Sequence, residues 1–165
     1  MKKILAAATV LLVAAFASAK GSFSANDLRP SDKITESFVV NGFTVGAILE
    51  KEVRVMKIDV GTKTAPDGTV FTQYLDMRGG PIAQGRTISF SANAGDRVII
   101  YGHSSSRKDA RQILVRNVEK ETVGTIGVNN QEAAISIGEV RIPATGTYNI
   151  CSAGAGVYIY AVIVK

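Results

Sequence analysis

What most constrains this chain is the lack of helical periodicity beyond residue 20. In its place come short runs of Val, Ile, Thr, Phe and Tyr punctuated by Gly, Asn and Asp. Apolar residues at every second position bury one face of an extended strand, whereas a helix needs them at every third or fourth. The runs that fit are 37–40, 43–49, 53–60, 69–77, 86–92, 97–103, 111–118, 122–128, 133–137, 146–152 and 157–164. Many short strands joined by turns predict an all-β domain of antiparallel sheets closed as a sandwich or barrel.

Turn chemistry supports the same division. Asn41-Gly42, Asp67-Gly68 and Gly79-Gly80 reach positive φ cheaply, and Ala94-Gly95-Asp96 is expected to close a short hairpin. Arg86, Ile88 and Phe90 share one face of their run and Thr87 and Ser89 the other, as in a sheet with one wet side. The closing run, Val157 to Val164, is apolar on both faces, which places it mid-sheet. Truncation after Gly156 should then abolish folding, while residues 20–27 should be dispensable.

Residues 1–19 read as a secretory signal. Lys2 and Lys3 open it, Ile4 to Ala17 form its apolar stretch, and Ala17-Ser18-Ala19 fits a small-residue cleavage site. That stretch is shorter than the ~20 residues a spanning helix needs, so removal after Ala19 is expected. The product would be exported (periplasmic, cell-surface or extracellular) with no membrane span. Residues 20–36 are polar and aperiodic around Pro30 and read as a loose lead-in, leaving 37–165 as the β-sandwich domain. Cys151 is the only cysteine, which excludes an intramolecular disulfide, and its strand-like setting makes it a small buried hydrophobe.

The formal net charge of +5 includes Lys2 and Lys3, and the other basic residues are interspersed with acids, as in Glu50-Lys51-Glu52. Without a basic stripe, nucleic acid is not an expected partner. Catalysis fares no better. His103 is the only histidine, with no Ser/His/Asp spacing, Cys/His cluster or phosphate-cradling glycine loop around it. Asp59, Asp67, Asp76, Asp96 and Asp109 stand singly, so no catalytic residue and no cofactor is expected. Calcium could sit on Asp59, Asp67 or Asp96 with backbone carbonyls, although no EF-hand-like spacing favours it.

Sugar recognition combines a flat aromatic face with planar hydrogen-bonding groups. With no Trp, the aromatics available are Tyr74, Tyr101, Tyr148, Tyr158 and Tyr160. Tyr101 is the candidate because it adjoins the polar loop holding His103, Ser104, Ser105 and Arg107.

The segment Asp67-Gly68-Thr69-Val70-Phe71-Thr72-Gln73-Tyr74-Leu75 resembles a motif of the β-sandwich modules appended to secreted bacterial pectate lyases and related polysaccharidases. The likeness continues in order through Arg86-Thr87-Ile88-Ser89-Phe90, Val98 to Ser106 and Asp109 to Leu114. It ends with Pro143 to Ile150 and Gly156-Val157-Tyr158-Ile159-Tyr160. It implies a jelly-roll-like β-sandwich that binds polysaccharide. Arg86 and Arg111 fall at matching strand positions, and the arginine fork suits a uronic acid carboxylate, so acidic glycans are among the expected partners. The ligand-binding residues so expected are Tyr101, His103, Ser104, Ser105, Arg107, Arg111 and Arg86, in a loop-edge or concave-face site. The alternative is a structural cell-surface protein that self-associates through strand edges or sandwich faces.

Overall fold

The computed structural model describes residues 20–31, 33–46, 55–78 and 86–165. The expected signal and the Gly79-Gly80 turn lie outside them. The strands are β1 (Gly21–Ser24), β2 (Phe38–Val40), β3 (Phe43–Val45), β4 (Lys57–Thr64), β5 (Val70–Asp76) and β6 (Ile88–Ala92). Then follow β7 (Arg97–Ser104), β8 (Arg111–Asn117), β9 (Thr122–Val128), β10 (Ser136–Arg141), β11 (Gly146–Ser152) and β12 (Val157–Val164). They pair antiparallel into a front sheet, β10-β7-β12-β5-β4 with β1 also on β12, and a back sheet, β2-β3-β6-β11-β8-β9. This is the antiparallel β-sandwich that the period-two runs predict.

Alternation explains the layering. Ile58, Leu75, Val98, Ile100, Ile159 and Val162 project from the front sheet onto Val45, Ile88, Ile113, Val115 and Ile150 of the back sheet, all buried in one core. An aromatic chain crosses between the layers. Phe23 lies 6.3 Å from Phe43, Phe43 5.9 Å from Phe90, and Phe90 6.0 Å from Tyr148, centroid to centroid. On the side where the front-sheet edge β10 meets the back-sheet edge β9, a Cβ on Gly138 would run into Ile126, so glycine lets the two edges close.

Several expectations are corrected. The lead-in is not loose throughout. β1 pairs with β12 from Gly21↔Val164 to Ser24↔Ala161, Phe23 and Ala25 are fully buried, and Ser31 exchanges backbone hydrogen bonds with Ile58. Ala94-Gly95-Asp96 closes no hairpin, because β6 belongs to the back sheet and β7 to the front. It is an arch between layers, fixed by Gly95 N–H donating to Ile142 O and Asn93 N–H to Asp96 Oδ2. The strand expected at 133–137 runs instead from Ser136 to Arg141. Ile135 is buried outside it, packed on the outer face of the front sheet. Finally, β4 continues to Thr64 past a bulge between Val60 and Lys63 that breaks the period-two signal.

Candidate functional site

The outer face of the front sheet is where the chain concentrates aromatic and charged side chains. Since Ile58, Leu75 and Ile159 point into the core, alternation turns Lys57 and Asp59 of β4, Tyr74 and Asp76 of β5 and Tyr158 of β12 outward. Register sets them side by side, with Lys57 and Tyr158 both opposite Asp76 and Asp59 opposite Tyr74. Bulges re-aim the neighbours. One lies in β12 between Ile159 and Ala161. Another is the register shift between β4 and β5, where Gly61 and Thr62 stand against Thr72; there the N–H groups of Thr72 and Gln73 both donate to Asn26 Oδ1 at 2.9 and 3.2 Å. Phe71 therefore joins Tyr160 at 5.3 Å and Tyr101 at 5.4 Å, while Tyr74 stacks obliquely on Tyr158 at 4.3 Å.

Two loops cover half of this face. From the β4–β5 turn, Asp67 accepts the Tyr101 hydroxyl at 2.7 Å, which holds the Asp67 carboxyl below its ordinary range and the Tyr101 hydroxyl above it. From the β9–β10 connection, Gln131 donates to Tyr158 Oη at 2.9 Å and to Ser105 O at 2.7 Å. Lys63 Nζ donates to the carbonyls of Gln131 and Ala133 at 2.6 and 2.8 Å. Beneath that loop His103, 1 % exposed, has Nε2 3.1 Å from Ala133 O, a contact to which we assign an Nε2–H donor. Burial first, and Lys63 second, push the His103 pKa down.

The open half leads into a cleft of about 690 Å³ lined by Lys33, Val55, Asp76, Arg78, Ser105, Arg111, Tyr158 and the backbone of 154–156. That lies within the ~300–1,000 Å³ usual for small-molecule sites. Arg111, at the start of β8, is held by Nη1 donating to Ser105 Oγ at 2.6 Å and to Gly156 O at 2.5 Å. A Cβ on Gly156 would stand 2.5 Å from Ser105 Oγ, so the seat of Arg111 requires glycine there. Opposite, Arg78 Nε lies 3.3 Å from Asp76 Oδ2 while its backbone N–H donates to Asp76 Oδ1 at 2.9 Å. Burial raises the Asp76 pKa against the opposing pull of Arg78. Among the described residues of the lining, the cations Lys33, Arg78 and Arg111 outnumber the one carboxylate, Asp76.

The expected site residues divide accordingly. Ser105 and Arg111 come together in the cleft. Tyr101 and His103 share the outer face but lie under the covering loops. Ser104 is fully buried, its Oγ accepting from Ser106 N–H, and Arg107 is exposed on the loop tip. Arg86 is 6 % exposed on the inward parity of Ile88 and Phe90, at the base of β6. The aspartates proposed for calcium have protein partners: Asp59 takes Lys57 Nζ, Asp67 Tyr101 Oη, and Asp96 the N–H of Asn93. Among the described residues no group of three or more His, Cys, Asp or Glu is placed to hold a metal. Asp76, Arg78, Tyr158 and Lys33 were not anticipated. The spacing Tyr74-x-Asp76, opposite a strand carrying Tyr158, was the available signal for the first and third.

No protein-family model matches the chain, and no curated protein is similar to it. Among solved structures it is similar to CsCBM6-3 of Clostridium stercorarium, solved with cellobiose, at 12% identity over 90% of this chain and 95% of that one, TM-score 0.43. It is also similar to the CBM22-1 xylan-binding domain of Paenibacillus barcinonensis Xyn10C, at 14% identity over 87% and 91%, TM-score 0.43. A third likeness is to the Clostridium perfringens ZmpB fragment holding CBM51-2 with GlcNAc, at 10% identity over 87% of this chain and 31% of that one, TM-score 0.46. The two-sheet architecture rests on the strand pairings given above.

Proposed function

We propose that the chain is an exported, non-catalytic polysaccharide-binding protein whose ligand seats between Tyr158 and Arg111. The observation that carries this reading is the composition of the cleft. A half-buried tyrosine face stands beside planar guanidinium donors and a serine hydroxyl, in a hollow of about 690 Å³. Aromatic surface takes a sugar's C–H face, and fixed donors take its ring oxygens and hydroxyls. The excess of Lys33, Arg78 and Arg111 over Asp76 favours an acidic sugar. Kinship with modules of pectate-degrading enzymes rests on the ordered motifs from Asp67 to Tyr160, and export on the signal pattern of residues 1–19.

Affinity electrophoresis through polygalacturonate, xylan and a soluble cellulose derivative tests it. The processed protein should be retarded by at least one, polygalacturonate first. Arg111→Gln should weaken binding about tenfold or more, the order expected for a lost charge-assisted hydrogen bond. Gly156→Ala should act in the same direction by crowding Ser105. Free migration in every gel, or retardation unchanged by both substitutions, would overturn the assignment.

A further inference from the structure

The pair Asp76–Arg78 is an odd fitting for a ligand cleft. Arg78 follows the end of β5 at φ 56°, a left-handed backbone uncommon for a long side chain. It is held there by one carboxylate, whose Oδ1 accepts its backbone N–H and whose Oδ2 forms an ion pair with its Nε at 3.3 Å. The carboxylate is deep, with 6% of its side chain exposed, and the arginine side chain is 43% exposed beside the cleft. The other groups facing Asp76 do not replace Arg78. Lys57, across on β4, is engaged at 2.5 Å by Asp59, itself an anion further along that strand. Tyr158, across on β12, is a neutral phenol, and its neighbour Tyr74 has a hydroxyl 3.3 Å from Asp59 Oδ2. Lys33 and Arg111 line the same cleft, Arg111 with Nη1 on Ser105 and Gly156.

We propose that Asp76 is an internal competitor for the cleft's anion site. Its carboxylate pairs with Nε of the Arg78 guanidinium and offsets the charge that an acidic sugar would meet there, and its protonation releases Arg78 to the ligand, so that anionic glycans bind more tightly as the pH falls. This deepens the polysaccharide reading and rests on it. A planar guanidinium offers five N–H donors, but a carboxylate already engaging one edge also cancels most of the charge that draws a second carboxylate in. Removing the negative charge from Asp76 leaves Arg78, Arg111 and Lys33 facing the ligand with no carboxylate among the described residues of the lining. Burial disfavours the ionised form of Asp76 and raises its pKa from the ordinary carboxylate value, against the opposing pull of Arg78.

The test compares wild type with Asp76→Asn on oligogalacturonate and on its methyl ester, which keeps the backbone and loses the charge. Wild type should bind the acid form more tightly at the acid end of the range in which the ligand's carboxylates stay ionised than at about pH 8. Asp76→Asn should bind it tightly at both pH values and gain nothing on the ester. Adding Arg78→Gln should erase the gain. A ligand-free readout accompanies these: the Arg78 Nε–H resonance of wild type should titrate with one acid-range step that Asp76→Asn lacks, and wild type alone decides it if the variant does not fold. If the acid oligomer binds wild type but the Asn variant binds it no more tightly, or if the Arg78 resonance ignores pH, the competitor role is overturned and the polysaccharide reading stands. If the resonance titrates as expected but neither oligomer binds either protein, the acidic-sugar ligand and the competitor role of Asp76 fall together, while retardation by xylan or the cellulose derivative still decides the polysaccharide reading.

Discussion

His103 and Lys63 stand 3.4 Å apart beneath the loop 129–135, and among the described residues neither has a carboxylate within hydrogen-bond reach. Two cations at that separation would repel strongly in a partly buried setting, so the imidazole stays neutral in the fold. Its folded pKa lies below the ordinary 6.5. Below that value the unfolded chain binds a proton that the native chain refuses, so stability falls as pH drops from about 6.5 toward the depressed folded pKa. The limiting slope is about 1.4 kcal/mol per pH unit for one proton. His103→Gln should remove this slope from thermal melts taken between about pH 7 and pH 5, and parallel pH profiles for the two proteins would refute it. The residue scale is also where the sequence was least informative about the site. Tyr101 and Tyr158 have the same chemistry and both sit in alternating strands. Only the third dimension reveals that Asp67 and Ile135 cover the first while the second opens onto Arg111 and Asp76. Ser105 could be singled out in sequence because it lies in the polar loop after Tyr101, and Arg111 because the resemblance puts an arginine at that strand position. The partnership of Asp76 with Arg78 depends on a left-handed turn that no residue type announces.

At the scale of elements, β1 and β12 show how a segment's polarity can mislead. Residues 20–36 are polar on average, yet Gly21–Ser24 forms a short strand whose single large apolar side chain, Phe23, faces inward at 0% exposure onto Phe43. One buried residue in a four-residue strand is too little periodicity to detect, and the neighbouring Asn26 acts through its side chain, which accepts the N–H groups of Thr72 and Gln73 in β5. Phe23→Ala should therefore cost about 3–5 kcal/mol, the usual penalty for emptying an aromatic site in a core. Urea denaturation measures it, and a loss under about 1 kcal/mol would return the segment to the status of a dispensable lead-in. The opposite end was legible, since apolar residues on both faces of Val157–Val164 announced a strand with neighbours on both sides. The structure gives β12 those neighbours, β7 on one side and β5 then β1 on the other.

For the molecule as a whole, period two tells which face of each strand is buried but not which strand lies beside it. That is why the sandwich was legible while the arches between sheets were not. The turn Ala94-Gly95-Asp96 has hairpin chemistry, yet its partners are Ile142 and Asn93 rather than a facing strand. The same geometry decides how the fold should come apart. One core joins both sheets, and a second, smaller cluster of Phe71, Tyr101, Ile135 and Tyr160 covers the outer face of the front sheet. A satellite cluster under loops can open on its own when its strands are not shared with the main core. Here they are shared: β5, β7 and β12 present Leu75, Ile100 and Ile159 inward and Tyr74, Tyr101 and Tyr160 outward, so losing either face removes the support of the other. With no Trp in the chain, near-ultraviolet signals come chiefly from tyrosine, and of the five only Tyr148 lies in the main core. Tyrosine dichroism thus reports the satellite, whereas far-ultraviolet dichroism reports the backbone of both sheets. The two should trace one unfolding transition with a common midpoint in denaturant, as a single cooperative domain requires. An earlier loss of the tyrosine signal would mean that the outer aromatic face is an independent unit laid over the sandwich.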